Sequence, residues 1–252
     1  MGDSGVSIFT LRFADDRTAL AARVDRPEDV TRAVHAFGLT GAHPVVVVAG
    51  GAGGMEDADM DQMRPLLAEG LIPAISASDA AVVDGGTDIG VMRLMGQARD
   101  GFTLIGVAVE RTVVLPGQAP RSADAAPLES HHTHFLLVPG TGWGDEVPWL
   151  ARTATVLAGD APSVTVLING GQTSLDDAEH SLRGGRPVVV LAGTGRAADQ
   201  IAAARRGDRS DAGATSISNS PQVYIADASD PGTLRQQLTS LLSAVPRAGS
   251  VG

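Results

Sequence analysis

Pro44–Val45–Val46–Val47–Val48–Ala49 runs directly into Gly50–Gly51–Ala52–Gly53–Gly54. A short aliphatic run without polar alternation reads as a strand buried on both faces, as in a parallel sheet covered by helices. Working outward, the same unit recurs. After Val45–Ala49, strands are expected at Ala80–Asp84, Thr103–Val109, His134–Val138, Val164–Ile168, Val188–Leu191 and Val223–Ala226. Helices are expected between them, at Asp57–Glu69, Gly90–Arg99, Glu146–Leu157, Leu175–Leu182, Arg196–Arg205 and Pro231–Leu242. Strands alternating with helices predict a Rossmann-like, doubly wound α/β fold with a mostly parallel sheet and helices on both faces.

Upstream of Pro44 the pattern differs. Val6–Phe13 and Ala19–Val24 read as a hairpin, and a helix runs from Pro27 to Phe37, with Glu28 and Asp29 suiting its N-terminus. Two long linkers, Leu115–His131 and Gly207–Pro221, interrupt the later rhythm, as binding loops or disordered segments do. No shift in composition marks a boundary. The expectation is one nucleotide-binding domain over residues 1–245, carrying this hairpin-plus-helix extension, and a disordered tail over 246–252.

Composition excludes several chemistries. The 252 residues contain no cysteine, which removes disulfides, thiolate metal sites and cysteine nucleophiles. All 19 basic residues are arginine, so there is no Schiff-base lysine and no Walker A lysine. A net charge of −10 argues against a nucleic-acid partner, and Asp208 and Asp211 break up the one dense arginine cluster, Arg205–Arg206–Arg209. No apolar run approaches the roughly 18 residues needed to span a bilayer, and no signal peptide is evident. The chain reads as soluble and cytoplasmic, with no membrane partner.

The turns after the strands carry the chemistry. Besides Gly50–Gly54 there are Gly85–Gly86–Thr87, Pro139–Gly140–Thr141–Gly142–Trp143–Gly144, Asn169–Gly170–Gly171 and Gly193–Thr194–Gly195–Arg196. In an open parallel sheet these turns share the carboxyl edge, where ligands bind. Glycine lets backbone N–H groups approach phosphate oxygens, and the following helix adds its positive end. Each turn alone has a plain alternative, since tight turns use glycine in any case. Asn169–Gly171 fits that plain reading best.

Three segments together resemble a known family. Gly85–Gly86–Thr87–Asp88–Ile89–Gly90–Val91–Met92, Gly140–Thr141 with Gly144–Asp145–Glu146, and Gly193–Thr194–Gly195–Arg196–Ala197–Ala198–Asp199 resemble the SLOG domain that heads TRPM channels, above all its prokaryotic stand-alone members, the LSDAT group. The resemblance covers Pro44 to the last helix. It implies a Rossmann-like fold that recognises an ADP-ribose, NAD-derived or AMP-like ligand, with no further cofactor required and a dimeric or higher homo-oligomer. The wider superfamily includes LONELY GUY-type phosphoribohydrolases, which carry a P-G-G-x-G-T-x-x-E loop. Pro139–Glu146 is one residue shorter than that loop and has Thr141 in place of its second glycine.

The resulting ligand-binding set is Gly50, Gly51, Gly53, Gly54, Gly85, Gly86, Thr87, Asp88, Gly140, Thr141, Gly142, Gly144, Glu146, Gly193, Thr194, Gly195 and Arg196. Glu146 is the one catalytic candidate, as general acid or base; it is equally an ordinary first-turn acid complementing a helix dipole. Arg196 would clamp a phosphate. Asp84 and Asp88 would hold ribose hydroxyls, or Asp88 would cap the next helix. Trp143 would stack on a base or pack beneath a loop. His131, His132 and His134 lack the partners of a metal site, so no metal is assigned. The leading expectation is a ligand sensor; the alternatives are a nucleoside monophosphate phosphoribohydrolase and a non-catalytic subunit of a larger assembly.

Overall fold

The computed structural model describes residues 5–51, 53, 55 and 57–243; Gly54 and the tail 246–252 lie outside the described residues. In chain order the strands are β1 Val6–Arg12, β2 Thr18–Val24, β3 Val45–Gly50, β4 Ala81–Asp84, β5 Leu104–Val109, β6 Val113–Val114, β7 Ala126–Pro127, β8 His134–Val138, β9 Ser163–Ile168, β10 Val188–Ala192 and β11 Val223–Asp227. The helices are α1 Asp29–Ala36, α2 Asp57–Leu66, α3 Ile72–Ala77, α4 Gly90–Gln97, α5 Val147–Ala158, α6 Gln172–Arg183, α7 Arg196–Arg205, α8 Ala212–Ser218 and α9 Pro231–Leu242.

Among the described residues, nine strands form one sheet in the order β1-β2-β8-β5-β4-β3-β9-β10-β11, and β6 and β7 form a separate pair. Every pairing in the large sheet is parallel except β1 with β2. The valine run explains the layering. Val46 and Val48 enter one core cluster, with α2, α3, α4 and α9. Val45 and Val47 enter another, with α1 and α5. Successive side chains of a strand point to opposite faces, so an all-valine strand is required where both faces are covered. Beyond β9 the second face is closed by α6, α7 and α8.

The N-terminal hairpin is part of the main sheet, because β2 pairs in parallel with β8, Leu20 opposite His134. Two segments differ from the sequence expectation. The helix expected to stop at Glu69 continues through a π-helical turn, Leu67–Leu71, into α3. Pro73, near the start of α3, cannot donate to the carbonyl four residues back, and the widened turn precedes it. The linker Gly207–Pro221 contains α8, nucleated by the Asp211 carboxylate accepting from the Ala214 N–H at 2.7 Å. No described helix is long and apolar enough to cross a membrane.

Strand order positions the site. From β3 the chain builds β4, β5 and β8 on one side, then returns to lay β9, β10 and β11 on the other. The reversal falls between β3 and β9, the place where open α/β sheets hold ligands.

Candidate functional site

A cleft of about 410 Å³ opens at that reversal, on the carboxyl edge of the sheet. Its floor is Val48, Ala49 and Gly50 of β3 with Ala108 and Val109 of β5. Gly51, Gly53, Gly85, Thr87, Trp143, Glu146 and Arg196 line it as well.

Gly50 must lack a side chain, because a Cβ there would lie 2.7 Å from the Ile168 carbonyl oxygen and 2.9 Å from Val91 Cγ2. Gly53 faces open space. Its carbonyl accepts a 2.9 Å hydrogen bond from Arg196 Nη1. Arg196 also passes close over Gly171, its Nη2 lying 2.9 Å from where a Cβ would stand. The backbone of Arg196 is left-handed, with φ +49°, at the first position of α7. A non-glycine residue held in that region costs free energy that surrounding contacts must offset, and such strain clusters at ligand clamps. One exposed guanidinium thus ties the loops after β3, β9 and β10 at the cleft rim.

On the β4 side, Thr87 is buried and its Oγ1 has no hydrogen-bond partner among the described residues. Gly86 sits beside it with φ +70°, and a Cβ there would lie 2.7 Å from Gly106 Cα. Its N–H donates to Asp84 Oδ1 at 2.7 Å. Asp84 is wholly buried and shares His132 with Glu129, so a line of buried charge supports the turn from below. Burial alone would lower the His132 pKa, but the Asp84 and Glu129 carboxylates outweigh it and push it up to about 9. Asp84 therefore serves the fold of the loop, and Asp88 pairs with Arg93 at 2.8 Å, outside the cleft lining.

The remaining glycine turns satisfy themselves. The amides of Thr141 and Gly142 donate to Asp145 Oδ2, at 2.7 and 3.2 Å. The Gly144 amide donates to Glu146 Oε2 at 2.9 Å. The amides of Gly193 and Gly195 donate to the two oxygens of Asp199, at 2.5 and 3.1 Å. Thr194 is buried, its Oγ1 accepting from the Asn169 N–H at 2.7 Å and its carbonyl from Asn169 Nδ2 at 2.6 Å. Gly86, Asp88, Gly140, Thr141, Gly142, Gly144, Gly193, Thr194 and Gly195 do not line the cleft, and apart from Gly140 their amides or side chains are used within the turns.

The far wall holds residues that the sequence reading passed over. Gln172, Thr173, Ser174 and Asp177 of α6 line the cleft, as does Asp124 from the linker Leu115–His131. Burial raises the Glu146 carboxyl, with Asp145 adding to the effect. Burial likewise raises Asp177, joined by the charges of Glu146 and Asp176, to about 8. Asp124 is held low, first by the Ser122 hydroxyl and also by the Trp143 indole N–H, which joins the linker to the 39 % exposed Trp143 at the cleft mouth. The legible signal for Asp177 was its position. Ser174, Asp177, Ala178 and Ser181 recur at three- and four-residue spacing, so Asp177 is an acid on the inward stripe of a helix. None of the described side chains forms a group of three or more that could hold a metal ion.

This arrangement presents two contrasting ends. Across the sheet, β10 and β5 are four strand spacings apart, about 19 Å. Arg196 follows β10, whereas Ala108 and Val109 end β5 below Trp143, Glu146 and Asp124. One end offers a guanidinium and the N-terminal turns of α6 and α7; the other offers carboxyl groups and apolar surface.

Comparison with known proteins places the chain among relatives. The family model described as "SLOG in TRPM, prokaryote" matches residues 43–235. The mouse protein named transient receptor potential cation channel subfamily M member 2 is 26% identical over 206 residues, covering 66% of this chain and 14% of the channel. The rat protein of the same name is 26% identical over 190 residues, covering 60% and 13%. The chain therefore spans about a seventh of the length of these curated relatives. A solved structure titled for the protein TM1055 is 22% identical, with a TM-score of 0.48, covering 77% of this chain and 99% of that one.

Proposed function

Since the chain belongs to the prokaryotic SLOG in TRPM family, we propose that its cleft binds a phosphorylated nucleotide derivative of the ADP-ribose kind and that the protein acts as a sensor of that ligand. The observation that carries this reading is the two-ended cleft at the strand-order reversal. Phosphate oxygens would sit at the Arg196 end, on the guanidinium, the Gly50–Gly53 loop and the N-terminal turn of α6. The sugar and base would lie toward Glu146, Asp177 and Trp143. A volume of about 410 Å³ falls in the range of small-ligand sites, roughly 300–1,000 Å³. Asp145 and Asp199 already occupy the amides of two other loops, so the phosphate end narrows to the one bounded by Arg196.

A ligand that binds only the native state stabilises it by mass action, about 2.7 kcal/mol at a hundred times its Kd. Thermal melts with ADP-ribose, NAD and AMP at millimolar concentration test the reading. A concentration-dependent rise in Tm is expected with at least one of them; a flat response to all three removes it.

One observation favours a second reading. Glu146 has a raised pKa and shares the cleft with a second raised carboxyl, the pattern of an acid/base pair. On that reading the protein cleaves the N-glycosidic bond of a nucleoside monophosphate. Prolonged incubation with AMP would release free base, and Glu146→Gln would abolish the release. Intact AMP at high protein concentration excludes it.

A further inference from the structure

Asp177 projects from α6 into the cleft wall, half-buried, in the same cleft that Glu146 lines, and the Glu146 charge bears on it. Two neighbouring acids with little solvent disfavour each other's charge and offer a phosphate no cation, so a site built only to hold an anion would not place them there. They are suited to a neutral partner that donates hydrogen bonds. The same cleft holds a second group in need of a partner. Thr87 is 1% exposed and its Oγ1 has no partner among the described residues, and a buried hydroxyl left unpaired is costly unless a ligand completes it. Carboxylates that meet the ribose hydroxyls are the general solution in nucleotide-binding crevices of this architecture.

From these positions we infer that Asp177, together with Glu146, reads the free 2′- and 3′-hydroxyls of the ligand's ribose, so that the cleft selects ribonucleotides over deoxyribonucleotides. The inference rests on the nucleotide reading above and adds a specificity-determining residue to it. Orientation follows from charge. The phosphate is drawn to Arg196, which leaves the sugar facing α6, with Thr87 lining the same cleft. Removing one hydroxyl would strand a half-buried acceptor, which sites built to bond an OH reject strongly.

Calorimetric titration of the full chain with AMP and with 2′-deoxy-AMP tests this, for the wild type and for Asp177→Ala and Asp177→Asn. The wild type is expected to bind AMP about tenfold or more tightly than 2′-deoxy-AMP. Asp177→Ala is expected to bring that ratio close to one. Asp177→Asn keeps the side-chain shape and is expected to lower the ratio too, so a folded variant is available if alanine perturbs the helix. Equal wild-type affinities for the two nucleotides overturn the inference while leaving nucleotide binding intact. An undiminished ratio in both variants overturns the assignment to Asp177. Binding of neither nucleotide, with no response to ADP-ribose, overturns the nucleotide reading and this inference with it.

Discussion

The Nε2 of His132 lies 2.8 Å from Oδ1 of Asp84, and solvent reaches neither side chain. On its other nitrogen His132 meets Glu129 Oε2, also at 2.8 Å. The Gly86 amide shares the same Asp84 oxygen, so the imidazole ties the linker segment carrying Glu129 to the turn that ends in Thr87. Removing His132 would leave two buried carboxylates with no cation between them. His132→Ala is expected to cost about 3–5 kcal/mol in urea unfolding at neutral pH.

The same relationship sets a pH dependence. The imidazole pKa rises from 6.5 to about 9 in the folded protein, so folding favours the protonated form. Its stabilisation is complete below about 6.5, erodes as pH climbs, and is gone above about 9. Unfolding midpoints measured from pH 6 to pH 10 should fall through that window in the wild type and change less in His132→Gln. Parallel profiles for the two proteins would contradict the assignment.

Asp177 predicts a gain of stability on mutation. Its pKa is raised from 3.8 to about 8, so the folded state favours the protonated carboxyl and loses stability as pH rises from about 4 through 8. Asparagine cannot ionise. Asp177→Asn is expected to stabilise the chain by about 1–2 kcal/mol at pH 9 and to leave it nearly unchanged at pH 4, the pattern of a residue kept for a purpose other than stability. Melting temperatures at the two pH values decide it.

Two cleft-loop glycines separate backbone need from open space. Gly86 has φ +70° and no room for a Cβ beside Gly106, whereas none of the described residues stands within 4 Å of a Cβ on Gly53. Gly86→Ala is expected to cost about 2 kcal/mol or more, and Gly53→Ala less than about 0.5 kcal/mol. Chemical denaturation of both variants checks the contrast.

Arg196 combines a strained backbone with an exposed guanidinium that, among the described residues, bonds to the Gly53 carbonyl. Arg196→Gly relieves the left-handed conformation, about 1 kcal/mol, while losing one exposed hydrogen bond. Its melting temperature should stay within a few degrees of the wild type. Its affinity for AMP is expected to drop about tenfold or more, and that affinity should depend less on salt. Unchanged affinity would remove Arg196 from the phosphate end.

Much of the scaffold was legible from residue pattern alone. Val45–Ala49, Val188–Leu191 and the other aliphatic runs admit few alternatives, since a strand that feeds two cores has no polar face to mislead. The helix α8 was not legible, because Ser, Thr and Gly213 mask the Asp211 cap. The extension of α2 into α3 was hidden by Pro73, a residue that ordinarily ends a helix. At the site, the turns could be placed on one sheet edge, but not how each spends its donors. That depends on acids a few residues downstream, and the sequence does not show which way a carboxylate folds. Asp177 stands among Asp176 and Glu179, and a run of acids along a helix does not by itself show which one faces the cleft.

Asp145 and Asp199 give glycine-rich turns a second meaning. Each acid accepts from two amides of its own turn, so those donors are already used and the turn behaves as a clasp fastening a strand to its helix. Replacing either aspartate with alanine would unfasten such a turn and lay bare a vacant ring of amides. A chain of this fold can therefore gain or lose an anion seat through a single acidic residue, without altering any glycine in the motif.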